Sequence, residues 1–95
     1  MHVSAPFTGG CACGAIRYEC STHPWMSLNC HCRDCQRATG GAYNTVVGVP
    51  AAMLQFTQGS PQYYETPGER GTSVAWGFCP TCGSPLVALP SAYPA

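Results

Sequence analysis

The chain contains no lysine. Its only basic side chains besides histidine are Arg17, Arg33, Arg37 and Arg70, and they are matched by Glu19, Asp34, Glu65 and Glu69, so the formal net charge is zero. The basic face that a nucleic-acid-binding domain needs is therefore missing. Charged residues make up 8% of the chain and hydrophobic ones 45%, the opposite of the balance that keeps a chain disordered. No apolar run approaches the ~18 residues of a membrane-spanning helix. The opening residues Met1-His2-Val3-Ser4-Ala5-Pro6 lack the basic and then apolar segments of a secretory leader. Together these absences lead us to expect a reduced, cytoplasmic setting, with neither nucleic acid nor membrane as partner. Long helical periodicity is also missing, as is any repeat longer than the cysteine motifs described next.

What the chain does have is cysteine, eight in 95 residues. Seven fall in three tight groups: Cys11-Ala12-Cys13, Cys30-His31-Cys32-Arg33-Asp34-Cys35, and Cys79-Pro80-Thr81-Cys82. A disulfide framework spaces its cysteines to join distant elements, whereas this bunching suits metal ligation. Zinc holds thiolate sulfur at roughly 2.3 Å in a tetrahedron, which sets the sulfurs about 3.8 Å apart. A C-x-C pair on extended chain presents both side chains on one face, and a C-x-x-C pair does the same around a tight turn. At 95 residues the chain is expected to be one domain, residues 1–95. A core of that size is of marginal strength, and metal staples are a common remedy.

The remaining residues read as short strands with frequent turns. Residues 1–8 are expected to be a loose lead-in, with Gly9-Gly10 opening the first knuckle. Ala15 to Cys20 alternates, with Ile16, Tyr18 and Cys20 on one face of a half-buried strand. Trp25 to Cys32 reads as a strand that delivers Cys30 and Cys32 to one side. Arg33 to Thr39, stopped by Gly40-Gly41, reads as one or two helical turns with Cys35 in the first. Ala42 to Val49 is rich in β-branched residues and reads as a strand. Further strands are expected over Met53–Thr57, Gln62–Thr66, Thr72–Phe78 and Pro85–Leu89, with a left-handed turn at Gly83 and a frayed tail from Pro90. Trp25, Trp76, Phe78 and Tyr18 are expected in the core. The fold class is all-β, built of small antiparallel sheets.

Three segments carry a resemblance to a known family. They are Gly9-Gly10-Cys11-Ala12-Cys13-Gly14-Ala15-Ile16-Arg17-Tyr18, then Cys30-His31-Cys32-Arg33-Asp34-Cys35-Gln36-Arg37 with Gly40, then Phe78-Cys79-Pro80-Thr81-Cys82-Gly83-Ser84-Pro85-Leu86. In content, order and separation they resemble the glutathione-dependent formaldehyde-activating enzymes, a family that also includes the centromere protein V type. The match runs from Gly9 to Leu89. The resemblance implies a Mss4-like, or β-tent, arrangement of sheets with zinc knuckles, and two zincs per chain. It implies a structural zinc on Cys11, Cys13, Cys79 and Cys82, and a catalytic zinc on Cys30, Cys32 and Cys35. The implied activity is a carbon–sulfur lyase reaction that joins glutathione and formaldehyde as S-(hydroxymethyl)glutathione. Relatives usually continue past the last C-x-x-C, around a Gly-Thr/Ser-Leu-Asp-like segment that this chain does not contain. An open strand edge there leads to the expectation of a weak homodimer.

The residues themselves support the same partition. Four protein ligands close a structural zinc, and three leave a position open. Soft thiolates suit zinc and favour holding a substrate thiolate over generating hydroxide. The alternative is that Cys20, His23 or His31 completes the three-cysteine group. His31 lies between two ligands and should face away from them on an extended chain, while Cys20 reads as a small buried hydrophobe. Arg33 and Arg37 flank the open group, where a guanidinium fork matches the carboxylates of glutathione or offsets thiolate charge. Tyr43 and Asn44 are candidates for lining the same pocket, with a strand-core role as the alternative for Tyr43. Arg17 and Arg70 read as surface or ion-pair residues, and His2 as tail. Three functions follow: a zinc-dependent thiol–aldehyde lyase, a non-catalytic zinc-stapled binding module, and a thiol-based metal-handling or redox protein.

Overall fold

The computed structural model describes residues 5–67 and 71–91 of the 95. His2, Glu69, Arg70 and the tail beyond Ser91 lie outside the described residues. The architecture is all-β: among the described residues eight strands form three small antiparallel sheets, with one short helix. The first sheet orders β1 (Phe7–Gly10), β2 (Arg17–Cys20) and β5 (Leu54–Gln58). The second pairs β3 (Met26–Cys30) with β4 (Asn44–Gly48) around α1 (Arg33–Thr39). The third orders β6 (Gln62–Pro67), β7 (Ser73–Phe78) and β8 (Pro85–Pro90). A 3-10 turn, Ala51–Met53, leads into β5.

The lead-in is shorter than the sequence suggests. Phe7 and Thr8 already pair with Cys20 and Glu19, because the strand after the first knuckle offers them an antiparallel partner. Ile16 and Cys20 are buried and Tyr18 half-buried, which is the face the alternation predicts. The sheets do not close on themselves. Among the described residues β1, β5, β6 and β8 are edge strands, as are both strands of the β3–β4 pair, and the expected edge pairing would use one of these.

The core is small and built around sulfur. Cys11, Ile16 and Cys79 form its buried cluster, with Phe56 of β5 and Leu86 of β8 packed against it. Trp76 is buried on β7, while Phe78 is half-buried. Trp25 corrects the sequence reading: it is 60% exposed. A two-stranded sheet cannot cover both of its faces, and Trp25 lies against the bare backbone of Gly48, where an added Cβ would come within 2.9 Å of its ring. Its N–H donates to the Gly48 carbonyl at 2.8 Å and closes the end of the β3–β4 pair.

Candidate metal centres

Two knuckles of the same design face each other. Between β1 and β2, the Cys11 N–H donates to the Ile16 carbonyl at 3.1 Å, and the Gly14 N–H donates to the Cys11 carbonyl at 3.2 Å. Between β7 and β8, the Cys79 N–H donates to the Ser84 carbonyl at 3.0 Å, and the Gly83 N–H donates to the Cys79 carbonyl at 2.7 Å. Gly14 and Gly83 both have positive φ, 83° and 79°. Each knuckle adjoins a register shift, at Arg17/Tyr18 in one sheet and Gly77/Phe78 in the other. Bulges of this kind redirect a strand, and here they stand where the chain turns toward the thiols.

The sulfurs of Cys11, Cys13, Cys79 and Cys82 all lie within 4.8 Å of one another. Cys11 and Cys13 are 3.6 Å apart, and Cys13 and Cys79 are 3.8 Å apart. Those separations fit the roughly 3.8 Å of a zinc tetrathiolate. Cys11 and Cys79 are buried, and Cys13 and Cys82 are exposed. The Ile16 N–H points at the Cys11 sulfur at 3.3 Å. One participant was not legible beforehand. Ser84 Oγ contacts the Cys82 sulfur at 3.1 Å and accepts from the Ala12 N–H at 2.9 Å, so one hydroxyl bridges the two knuckles. Its position two residues after the last cysteine is the signal that could have found it.

This hydrogen bonding divides the thiols electrically. The Ser84 hydroxyl, then the N–H groups of Ser84 and Cys13, pull the Cys82 thiol down to about 5. Burial pushes Cys11 up, but the Ile16 N–H and the sulfurs of Cys13 and Cys79 outweigh it, and the net shift is downward. Cys13 receives a lowering contact from the Ala15 N–H, yet its crowded neighbours, Cys11 first, push it up to about 11.

The second centre sits at the junction of β3 and α1. Cys30, Cys32 and Cys35 have their sulfurs within 4.8 Å of one another, with Cys30 and Cys32 at 3.4 Å. Cys32 is the N-cap of α1: its sulfur accepts from the Cys35 N–H at 3.4 Å. Gly40, with φ 73°, ends the helix by donating to the Gln36 carbonyl at 2.8 Å. Gln36 braces the loops on either side, its amide donating to the carbonyls of His31 at 3.1 Å and Ala42 at 3.2 Å. Burial, followed by the neighbouring sulfurs, pushes the Cys35 thiol up to about 12. The Cys32 N–H, followed by the sulfurs of Cys35 and Cys32, lowers Cys30.

Among the described residues no fourth ligand joins this group. Cys20 is wholly buried elsewhere and donates to the Thr22 carbonyl at 3.5 Å. His23 accepts from the Ala5 N–H at 3.4 Å. His31 stacks on Tyr43, ring centres 5.2 Å apart. Tyr43 is 47% exposed and precedes β4, so the strand-core alternative for it is set aside. Asn44 stands opposite Cys30 in the β3–β4 register, which puts both side chains on one face. Arg33 donates to Gln36 Oε1 at 3.3 Å. Arg37 lines a cleft with Asp34 and Ala38 of the same helix. Arg17 is exposed.

All eight cysteines are free thiols. Both groups have the donor chemistry and separations to hold metal ions, and all-sulfur sets of this kind suit zinc. Among the described residues no helix is long and apolar enough to cross a membrane.

Comparison with known proteins leads to the same place. A protein of Halomonas elongata named "Putative glutathione-dependent formaldehyde-activating enzyme" is 33% identical over 88 residues, covering 82% of this chain and 52% of the relative. The chain thus spans about half the length of the curated relative it matches. The family model described as glutathione-dependent formaldehyde-activating enzyme matches residues 6–95, from the first strand through both knuckles and the cysteine-capped helix. With that span and both thiol groups inside it, the chain belongs to the glutathione-dependent formaldehyde-activating enzyme family.

Proposed function

We propose that the protein is a zinc-dependent carbon–sulfur lyase that joins a small thiol, glutathione or a close relative, to a small aldehyde such as formaldehyde, and cleaves the same adduct in reverse. The observation that carries the reading is the incomplete ligand set Cys30, Cys32 and Cys35, which lacks a fourth protein donor among the described residues. Two zincs per chain are proposed, a structural ion on Cys11, Cys13, Cys79 and Cys82, and a catalytic one on the three-thiol group. Zinc held by these three thiolates would supply a Lewis acid with an open position, able to keep a substrate thiol ionised near neutrality.

The chain's own part is to hold and orient. Cys32, fixed by the Cys35 N–H, and Cys30, fixed at the end of β3, present their sulfurs at the surface side, while Cys35 anchors the group from within. The substrate sulfur then attacks the carbonyl carbon. A carbon–sulfur bond forms, the carbonyl π bond breaks, and the oxygen takes a proton from solvent. Asn44, beside Cys30, is proposed to donate a hydrogen bond to that oxygen. Tyr43, Arg33 and Arg37 are proposed to contact the thiol's polar groups.

The test is the rate of S-(hydroxymethyl)glutathione formation by zinc-loaded protein, set against the uncatalysed condensation. Acceleration that disappears in Cys35→Ser is the expected result. Two bound zincs without acceleration would replace this reading with that of a zinc-stapled binding module.

A further inference from the structure

On the face of α1 turned toward the third sheet lies a cleft of about 300 Å³, at the lower end of the range for small-molecule sites. Asp34, Arg37 and Ala38 form its helical wall, spaced i, i+3 and i+4 on one side of the helix. Tyr64 and Thr66 of β6 and Trp76 of β7 form the opposite wall. Tyr64 and Trp76 are partners in the β6–β7 register. The Trp76 indole N–H donates to Thr66 Oγ1 at 2.8 Å, which fixes the largely buried ring in the cleft wall.

Among the described residues the side chains of Asp34 and Arg37 make no hydrogen bond or ion pair, with each other or with anything else, although the Asp34 charge is felt at Cys30. An anion and a cation one helical turn apart, facing an aromatic wall, match a ligand with a carboxylate and an ammonium on a short aliphatic stem. An α-amino acid head has that form. The cleft also neighbours a reacting group, because Asp34 adjoins Cys35 in the chain. The width of a helix is about 10–12 Å, and three extended residues span roughly 10 Å. To engage the cleft and the three-thiol centre together, a tripeptide-sized thiol would have to bind in an extended form.

We propose that this cleft is the recognition subsite for the zwitterionic α-amino-carboxylate head of the thiol substrate, with Arg37 taking the carboxylate, Asp34 the ammonium, and Tyr64 and Trp76 enclosing the stem. The inference rests on the reading of the three-thiol group as the reacting centre. It assigns specificity to residues 34, 37, 64 and 76, and it excludes simple thiols that lack the head from any benefit of the cleft.

The test is an NMR titration of the zinc-loaded full chain with S-methylglutathione, which carries the head but no free thiol. Saturable shifts at the Trp76 indole N–H are expected, with binding weakened about tenfold or more in Arg37→Met, as for loss of a charge-assisted contact. Tyr64→Ala should weaken it as well, and Arg17→Met should not. An analogue without the amino group should bind wild type and Asp34→Asn equally. Binding unchanged in Arg37→Met, or shifts centred on Tyr43 and Asn44 instead, would overturn the proposal. Failure of the two readings is distinguishable. Cleft binding without rate acceleration removes the lyase and keeps the subsite, whereas equal acceleration of glutathione and 2-mercaptoethanol, unaffected by Arg37→Met, keeps the lyase and removes the subsite.

Discussion

The two thiol groups use the same residue for opposite purposes. The four-thiol group joins positions 66 residues apart at one sulfur contact, Cys13 to Cys79, and ties the first sheet to the third. The three-thiol group lies within six residues and joins β3 to the helix that follows it directly. In the first, candidate ligands also make the core, since Cys11 and Cys79 are two of the three residues of its buried cluster. In the second, two of three sulfurs reach the surface side. A cross-link over a long loop removes far more chain entropy than one over a short loop. The four-thiol group thus belongs to the fold, and the three-thiol group is carried by it.

The largest expected effect breaks this pair apart. Cys82→Ser removes a ligand from the long-range group. Structural zinc contributes on the order of 10 kcal/mol or more of apparent folding free energy in small zinc domains, against a total stability of about 5–15 kcal/mol. Little soluble folded protein should remain. Cys35→Ser should fold with a modest loss, keep about one zinc by elemental analysis, and lose thiol–aldehyde activity. Equal damage in both variants, with all metal gone from each, would show the groups to be one coupled unit.

Acid should separate the groups next. Ligand thiols must be deprotonated, so falling pH expels metal from both. In the metal-free protein Cys82 is lowered from 9.0 to about 5, and a depressed group gives stability that is full above 9.0 and lost as pH falls through 5. Cys35 is raised to about 12; its contribution is full below 9.0 and lost as pH rises through 12, so its thiol resists ionisation across the whole neutral range. The three-thiol group, with one protein sulfur fewer, should release zinc first as pH is lowered, and the four-thiol group second, with unfolding. A chromophoric chelator followed alongside circular dichroism reads both steps. Unfolding that precedes or coincides with the first release would contradict the order.

The same contrast explains what the sequence could show. Every cysteine cluster is local in sequence, so spacing alone marked all seven grouped cysteines, and the C-cap at Gly40 and the left turn at Gly83 followed from glycine placement. Strand positions were legible to within one or two residues wherever β-branched runs were bounded by turns. Features that depend on distant partners were not. The pairing of Phe7 with Cys20 needs the returning strand, and the exposure of Trp25 needs the knowledge that its sheet has only two strands. Ser84 acquires its role through Ala12, 72 residues away. The cleft wall at Tyr64 and Trp76 likewise comes from a sheet remote in sequence from the helix it faces.

Ser84→Ala sharpens the comparison at intermediate size. Residues that orient metal ligands from outside typically contribute 10–100-fold to metal affinity. Without the hydroxyl, the Cys82 sulfur loses the hydrogen bond that lowers it most, and the Ala12 N–H loses its acceptor. Chelator competition should show the four-thiol affinity falling about tenfold or more by the same measure, and the three-thiol affinity unchanged. A loss shared equally by both groups would mean that the knuckles transmit strain to α1.

The smallest effects come from one substitution made in both regions. Gly40 ends α1 at φ 73°, and Gly83 closes the last knuckle at φ 79°; a Cβ added at either would meet no heavy atom within 4 Å. Alanine at either site is therefore penalised only by its backbone conformation, about 1–2 kcal/mol. Denaturant titration should show similar losses for Gly40→Ala and Gly83→Ala. Metal affinity should not respond in the same way. The Gly83 N–H closes the turn between two ligands through the Cys79 carbonyl at 2.7 Å, so relaxing φ there moves Cys82 relative to Cys79. The Gly40 N–H reaches the Gln36 carbonyl at 2.8 Å, beyond the last ligand of its group. Gly83→Ala should weaken the four-thiol group several-fold, since 1.4 kcal/mol corresponds to about tenfold. Gly40→Ala should leave the three-thiol group's affinity within about twofold on the same scale. If Gly40→Ala weakens its group as much as Gly83→Ala does, the helix end is part of the metal site, and the three-thiol group is less self-contained than its six-residue span implies.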